Sequence, residues 1–200
     1  MSAATTARRP GRPRSAAVDA AIIDAALRLL ATEGYARMSV DRVAAEAGVS
    51  KAAIYLRYRS KADLATAALA HLREAGEADP SGDLRADLVA ELRQLRRNAE
   101  RVSGMALIGT CLVEEQHTPE LLPLYRERTS RPRRARLRAM LEDARARGEI
   151  AAAEIEPVID LFMGAYQSRY ISGQPFPARW EEGIVATLLR GLGHNPESGR

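Results

Sequence analysis

The chain has 200 residues, 46% hydrophobic and 28% charged, with a net charge of +4. That supplies core for one large or two small modules, while no apolar run approaches the ~20 residues of a membrane span, and the early arginines precede no apolar leader. A single cysteine, Cys111, excludes an internal disulfide and fits a reducing, cytoplasmic setting.

Aromatic residues are scarce, strand-length β-branched runs are absent, and Ala, Leu, Arg and Glu dominate. This composition predicts an all-α fold. Charge is uneven. Residues 1–64 carry 11 Lys/Arg against 6 Asp/Glu, a balance of +5, and residues 65–200 carry 19 against 20, a balance of −1. A basic first third joined to a neutral remainder is the footprint of a polyanion-binding module attached to a second module.

Residues 1–14 contain Arg8, Arg9, Pro10, Gly11, Arg12, Pro13 and Arg14 and nothing that can bury a core, so a disordered basic arm is predicted. Its Gly-Arg-Pro centre resembles a minor-groove hook, with Arg9, Arg12 and Arg14 as the inserting cations, although Pro10 replaces a basic residue of that pattern. A merely solvated basic tail is the competing reading.

Residues 15–64 read as a three-helix DNA-binding domain. Ser15 caps a first helix over 16–33, ended by Gly34, with Val18, Ile22, Ala25, Ala26, Leu29 and Leu30 inward. Ser39 caps a second helix to residue 47, Gly48 turns the chain, and Ser50 caps a third over 51–58. Ala44, Gly48 and Ile54 stand at helix-turn-helix offsets: a small residue at the contact, a permissive turn and an apolar lock. The outward face of the third helix carries Lys51, Ala52, Ala53, Tyr55 and Arg57 and no acid. Short side chains suit base edges, and a phenol with cations suits phosphates. Lysine occurs only at 51 and 61 in a chain that otherwise uses arginine. Ser60 and Asp63 form a capping box for a fourth helix, which continues to about residue 78 and covalently links the two modules.

Asp79-Pro80-Ser81-Gly82 is the predicted boundary, followed by a helical domain over 83–193. Helices are expected at 83–101, 105–116, 118–147 with a kink near Ser130 from Pro132, 156–172 and 178–192. The 105–116 helix is apolar on most sides and so should be buried on most sides. The arginines between 126 and 138 alternate with acids and read as a solvated face rather than a second DNA patch. The last two helices are apolar on more than one face. They should form a four-helix dimer interface using Tyr170, Trp180, Ile184, Leu188 and Leu192.

The run over 38–64, MSVDRVAAEAGVSKAAIYLRYRSKADL, resembles the TetR family of transcriptional regulators. The resemblance is looser at Gly109-Thr110-Cys111-Leu112, Pro132-Arg133-Arg134, Arg147-Gly148-Glu149-Ile150, Ser172-Gly173-Gln174-Pro175 and Leu189-Arg190-Gly191-Leu192. It implies an N-terminal helix-turn-helix domain, a C-terminal helical ligand-binding and dimerisation domain, and a homodimeric repressor released from a palindromic operator by a small molecule. It also implies roles by position: Lys51, Ala52 and Ala53 at base edges, and Ser39, Arg42, Tyr55, Arg57 and Lys61 at phosphates. Ala52 and Ala53 depart from the usual Gly or Ser and hydroxyl residue, and Leu56-Arg57 from a frequent Tyr-His pair, so base reading is expected to lean on Lys51, Arg42 and the arm.

The same resemblance implies a pocket in the C-terminal domain, with Met105, Cys111, Met140, Phe162 and Tyr166 as candidate lining and an apolar or aromatic effector. Ordinary core packing of those five residues is the alternative. His71, His117 and His194 form no metal-ligand pair, and no catalytic motif is present, so neither enzyme, metal nor cofactor is expected. A rival to the ligand-responsive regulator is a ligand-independent architectural protein that bends DNA with its arginine arm.

Overall fold

A computed structural model of the chain describes residues 16–113, 116–151 and 154–193; the predicted arm with Arg9, Arg12 and Arg14 lies outside them. Among the described residues there are ten α-helices and no strand. Helix α1 (Ala16–Arg37) breaks at Gly34, where φ +76° carries the chain into a last short turn. Helices α2 (Val40–Ala47), α3 (Lys51–Tyr55) and α4 (Lys61–Glu74) follow. Each begins on a serine whose hydroxyl accepts an orphan amide: Ser39 from Arg42, Ser50 from Ala53 and Ser60 from Asp63. Between α2 and α3, Gly48 sits at φ +65°. There its amide and that of Val49 donate to the carbonyls of Ala45 and Ala44, closing α2. Helix α3 is shorter than the sequence predicts, because Arg57 N–H bonds back three residues to Ile54 and tightens the chain into a turn.

Helix α5 (Leu84–Arg101) starts at Asp83, and the Asp87 carboxylate fastens the preceding loop by accepting from the amides of Ser81 and Gly82. Then come α6 (Gly104–Val113) and α7 (Leu121–Tyr125). Residues Thr118 and Pro119 form a turn before α7 rather than its first turn. A π-helical turn, Arg126–Ser130, joins α7 to α8 (Arg131–Ala146). Its cause is local. Pro132 has no N–H for the carbonyl four residues back, and Arg131 N–H reaches five residues back to Arg126, widening the helix where the sequence predicts a kink. Helices α9 (Ile155–Ile171) and α10 (Trp180–Gly191) complete the chain.

Two apolar clusters hold these elements. The first gathers Ile22, Leu30, Val43, Ile54, Leu64 and Ala68 of α1–α4, and also Val102, Leu107, Cys111, Leu121 and Leu122. The second packs α5, α8, α9 and α10 around Leu88, Leu92, Leu141, Ile159, Phe162 and Val185. Full burial of each such aliphatic side chain contributes roughly 1.5–3 kcal/mol.

Helix α6 departs from its expected burial. Leu107 and Cys111 point into the first cluster, whereas Leu112 and Val113 lie on the surface. The arginine run also departs from a solvated face. Arg134 pairs with Glu156 and Asp160, as expected of surface groups, but Arg128, Arg133 and Arg136 turn inward.

Candidate nucleic-acid interface

The surface made by α2 and α3 follows from three local facts. Ile54 is fully buried and Val43 is fully buried beneath it, so α3 is pinned to α2 by its inner face. Gly48 turns the chain between them. The remaining side chains of α3 must then face outward: Lys51, Ala52 and Tyr55 are exposed, as is Leu56 just after the helix, and Ala53 is half-buried. Two methyl groups beside a cation and a phenol form a low-relief ridge that fits a major groove.

The electrostatics of this ridge contain an acid that α3 alone does not reveal. Asp41 of α2 places a carboxylate oxygen 2.9 Å from Lys51 Nζ. That hydrogen bond, and then the charge of Asp41, push the Lys51 ammonium above its ordinary range. Arg42, exposed on α2, pairs with Glu33 of α1. Both candidate DNA cations are therefore neutralised by carboxylates in the free protein, and a phosphate or base edge must displace an acid to reach either.

The other expected contacts divide. Tyr55 is exposed, and Ser39 spends its hydroxyl on the α2 cap. Lys61 lies at the start of α4, with Nζ 3.2 Å from the Ala36 carbonyl and 4.2 Å over the Tyr35 ring, which fixes the end of α1. Arg57 turns inward. It pairs with Asp19 of α1 and donates to the Ala53 carbonyl at 2.9 Å, so its assignment to phosphate is corrected to a strut between α1 and α3. Asp19, 38 positions away, is the partner that sequence spacing could not supply.

A cavity of about 90 Å³ lies where α4 meets the C-terminal helices. Of the five predicted lining residues the structure brings two to it, Met105 and Tyr166. Cys111 is instead packed into the first apolar cluster, and burial pushes its thiol up to about 11. Met140 and Phe162 fill the second cluster. Sequence reading missed the polar lining: Arg73 and Asn98 from α4 and α5, Thr129 from the π-helical turn, Arg133 from α8 and Gln167 from α9. Helical periodicity treats a buried arginine as surface, and so gave no signal for Arg133.

The faces of α9 and α10 likewise correct the expected interface. Trp180 and Leu192 are buried in their own subunit's core, Trp180 standing edge-on to Phe176 at 5.0 Å. Ile184 and Leu188 are half-buried and Tyr170 is exposed. Leu161 and Ile171, 64% and 76% exposed, are the large apolar groups α9 leaves uncovered.

Among the described residues no helix is long and apolar enough to cross a membrane, and no group of three His, Cys, Asp or Glu side chains converges as metal ligands do.

Residues 22–68 match the family described as bacterial regulatory proteins, tetR family, and residues 78–188 match the tetracyclin repressor-like C-terminal domain. The chain is 36% identical over 178 residues to the DNA-binding transcriptional repressor TetR of Mycobacteroides abscessus, covering 86% of this chain and 93% of that one. It is 30% identical over 188 residues to the uncharacterised HTH-type transcriptional regulator YdeS of Bacillus subtilis, covering 91% and 93%. The crystal structure of the TetR family transcription regulator SCO0332 superposes with a TM-score of 0.69 at 34% identity, covering 87% of this chain and 97% of that one. A capped helix-turn-helix on a helical second module, matched by both family domains and by full-length relatives, makes this chain a member of the TetR family of helix-turn-helix transcriptional regulators.

Proposed function

We propose that the protein is a homodimeric repressor that reads a palindromic operator with α2 and α3 and leaves it when a small effector with an apolar or aromatic body enters the cavity beside α4. The division of labour follows the residue ranges 15–64 for DNA and 83–193 for effector and partner. The observation that carries this reading is the position of the cavity. It is lined by Leu69, Leu72 and Arg73 of α4, the helix whose N-terminus adjoins the recognition helix. An occupant thus touches the element on which the DNA reader stands.

In this reading Lys51, Ala52 and Ala53 meet base edges, and Arg42, Tyr55 and Lys61 meet phosphates, with the Ser39 hydroxyl kept in its cap. A recognition helix of five residues reads few base pairs, so a two-fold dimer reading two half-sites roughly 34–36 Å apart supplies the missing specificity. The dimer face is the exposed side of α9 and α10. Leu161, Tyr170 and Ile171 offer apolar area, and Gly164 and Gly183 have open space around them for a partner helix. That the Mycobacteroides abscessus relative is a DNA-binding transcriptional repressor supports the sign of regulation.

The test is footprinting on DNA upstream of the protein's own gene, with sedimentation to fix the stoichiometry. A protected two-fold site bound by a dimer is expected. A monomer at working concentration, or equal affinity for every duplex, would sink the proposal.

A further inference from the structure

The cavity is apolar over most of its wall, and its charged groups are of one sign. Arg73 and Arg133 line it and, among the described residues, no Asp or Glu does. Arg73 has carboxylate partners, Glu74 at 3.0 Å and Glu77. Arg133 has none within ion-pair distance among the described residues. It is 5% exposed, and its Nη1 is buried with no hydrogen-bond partner. Thr129 Oγ1, one helical turn before it, is buried and unpartnered as well. Burial, with the like charge of Arg73 acting in the same direction, holds the Arg133 guanidinium below its ordinary range against the pull of Glu91 and Glu77. Glu91 does not line the cavity, and it accepts from Arg136 Nε at 2.5 Å. An unpaired guanidinium and a free hydroxyl on one cavity wall are costly unless something completes them.

We infer that the effector is a compact apolar monoanion, a carboxylate by preference, with its head group on Arg133 and Thr129 and its body against Leu69, Leu95, Ile108, Met163 and Tyr166. This rests on the effector-release reading above and narrows its ligand class. A carboxylate accepts two parallel N–H bonds from a guanidinium and a third from a hydroxyl. The cavity volume is several times the ~10–15 Å³ that one water needs, so a body larger than one water fits there. The head group also sits beside the route to DNA, because Thr129 follows Arg128 in the π-helical turn and Arg128 Nη1 donates to the Asp63 carbonyl at 2.7 Å at the start of α4.

The experiment uses the full chain and matched pairs of probes: benzoate, 4-ethylbenzoate, phenylacetate and octanoate, each against its primary amide. Thermal shift and calorimetry read binding, and fluorescence anisotropy of the footprinted DNA reads release. At least one acid is expected to bind about tenfold or more tighter than its amide, the worth of one charge-assisted hydrogen bond. Arg133→Met should erase that preference while amide binding remains. Should Arg133→Met fail to fold, Thr129→Val should weaken the acid by a few-fold and leave the amide unchanged. Acids and amides that bind and release DNA equally well would overturn the anion assignment and leave the effector-release reading standing. Acid binding that leaves the DNA complex intact would support the anion site and sink the release reading. No stabilisation by any acid of the panel would overturn the anion site, the orphaned groups then being satisfied by water.

Discussion

Arg128 Nη2 lies 2.5 Å from Oδ1 of Asp63, so a residue of the π-helical turn grips the residue whose amide the Ser60 cap holds at the start of α4. The other Asp63 oxygen accepts from the amide of Arg59 at 2.6 Å, in the segment that joins α3 to α4. One side chain beside the cavity therefore touches the joint between the DNA reader and its support.

Replacing Arg128 by Ala should remove this grip without unfolding the reader, since the Ser60 cap remains. The cost is expected at about 1.5–3 kcal/mol, the range for hydrogen bonds to a charged group, read by urea denaturation. Operator binding should persist while release by effector is blunted. An Arg128→Ala protein that responds to effector as the parent does would show that the coupling runs elsewhere.

Asp41 is expected to hold DNA affinity down. In Asp41→Asn the Lys51 ammonium loses its carboxylate partner and meets DNA without first displacing a charge. An exposed pair of this kind contributes little, so binding should tighten by no more than about fivefold on all sequences. Lys51→Ala should instead weaken operator binding by about tenfold and relax preference at one base position. Titrations on operator and scrambled duplex separate the two effects. Lys61→Ala should weaken both duplexes alike and lower the salt slope by roughly one.

Ile54→Ala removes the fully buried lock between α2 and α3. A loss of about 2–5 kcal/mol is expected, together with loss of all specific binding. Hydrogen exchange should show the loss of protection starting at α3. Protection that falls first in α9 or α10 would contradict the two-cluster description of the core.

Cys111 supplies a pH test. Its thiol is raised from 9.0 to about 11 by burial in the first apolar cluster. The folded chain thus keeps its proton where the unfolded chain loses it. That contribution to stability is complete below about pH 9 and is lost as pH rises toward 11. Alkylation at pH 8 should be about a hundredfold slower in the native protein than in urea, following the thiolate fraction. Equal rates would place Cys111 at the surface.

What the sequence disclosed and what it withheld follow from distance along the chain. The serine caps at 39, 50 and 60 and the turn at Gly48 are set within three or four residues, and local pattern reached them. The inward turn of Arg57 depends on Asp19, and the role of Arg128 on a residue 65 positions away. Neither separation leaves a periodic trace. The apolar pattern of α6 announces burial but not which neighbour covers each face, so it leaves Cys111 open between cavity lining and plain core, and the fold puts it in the core beneath the DNA reader. The arginines of α8 look alike as letters; burial alone separates Arg133 from Arg134.

The first apolar cluster takes Val102, Leu107, Cys111, Leu121 and Leu122 from beyond the Asp79–Gly82 loop. A scissor cut at that loop would therefore strip the reading head of a wall of its own interior. Chimaeras that graft this head onto another sensor must carry α6 and α7 with it, or accept an exposed greasy surface and a floppy reader. Swapping sensors between such regulators then has no clean seam, since a cut at the loop opens the first cluster and a cut at α8 carries α5 away from the second.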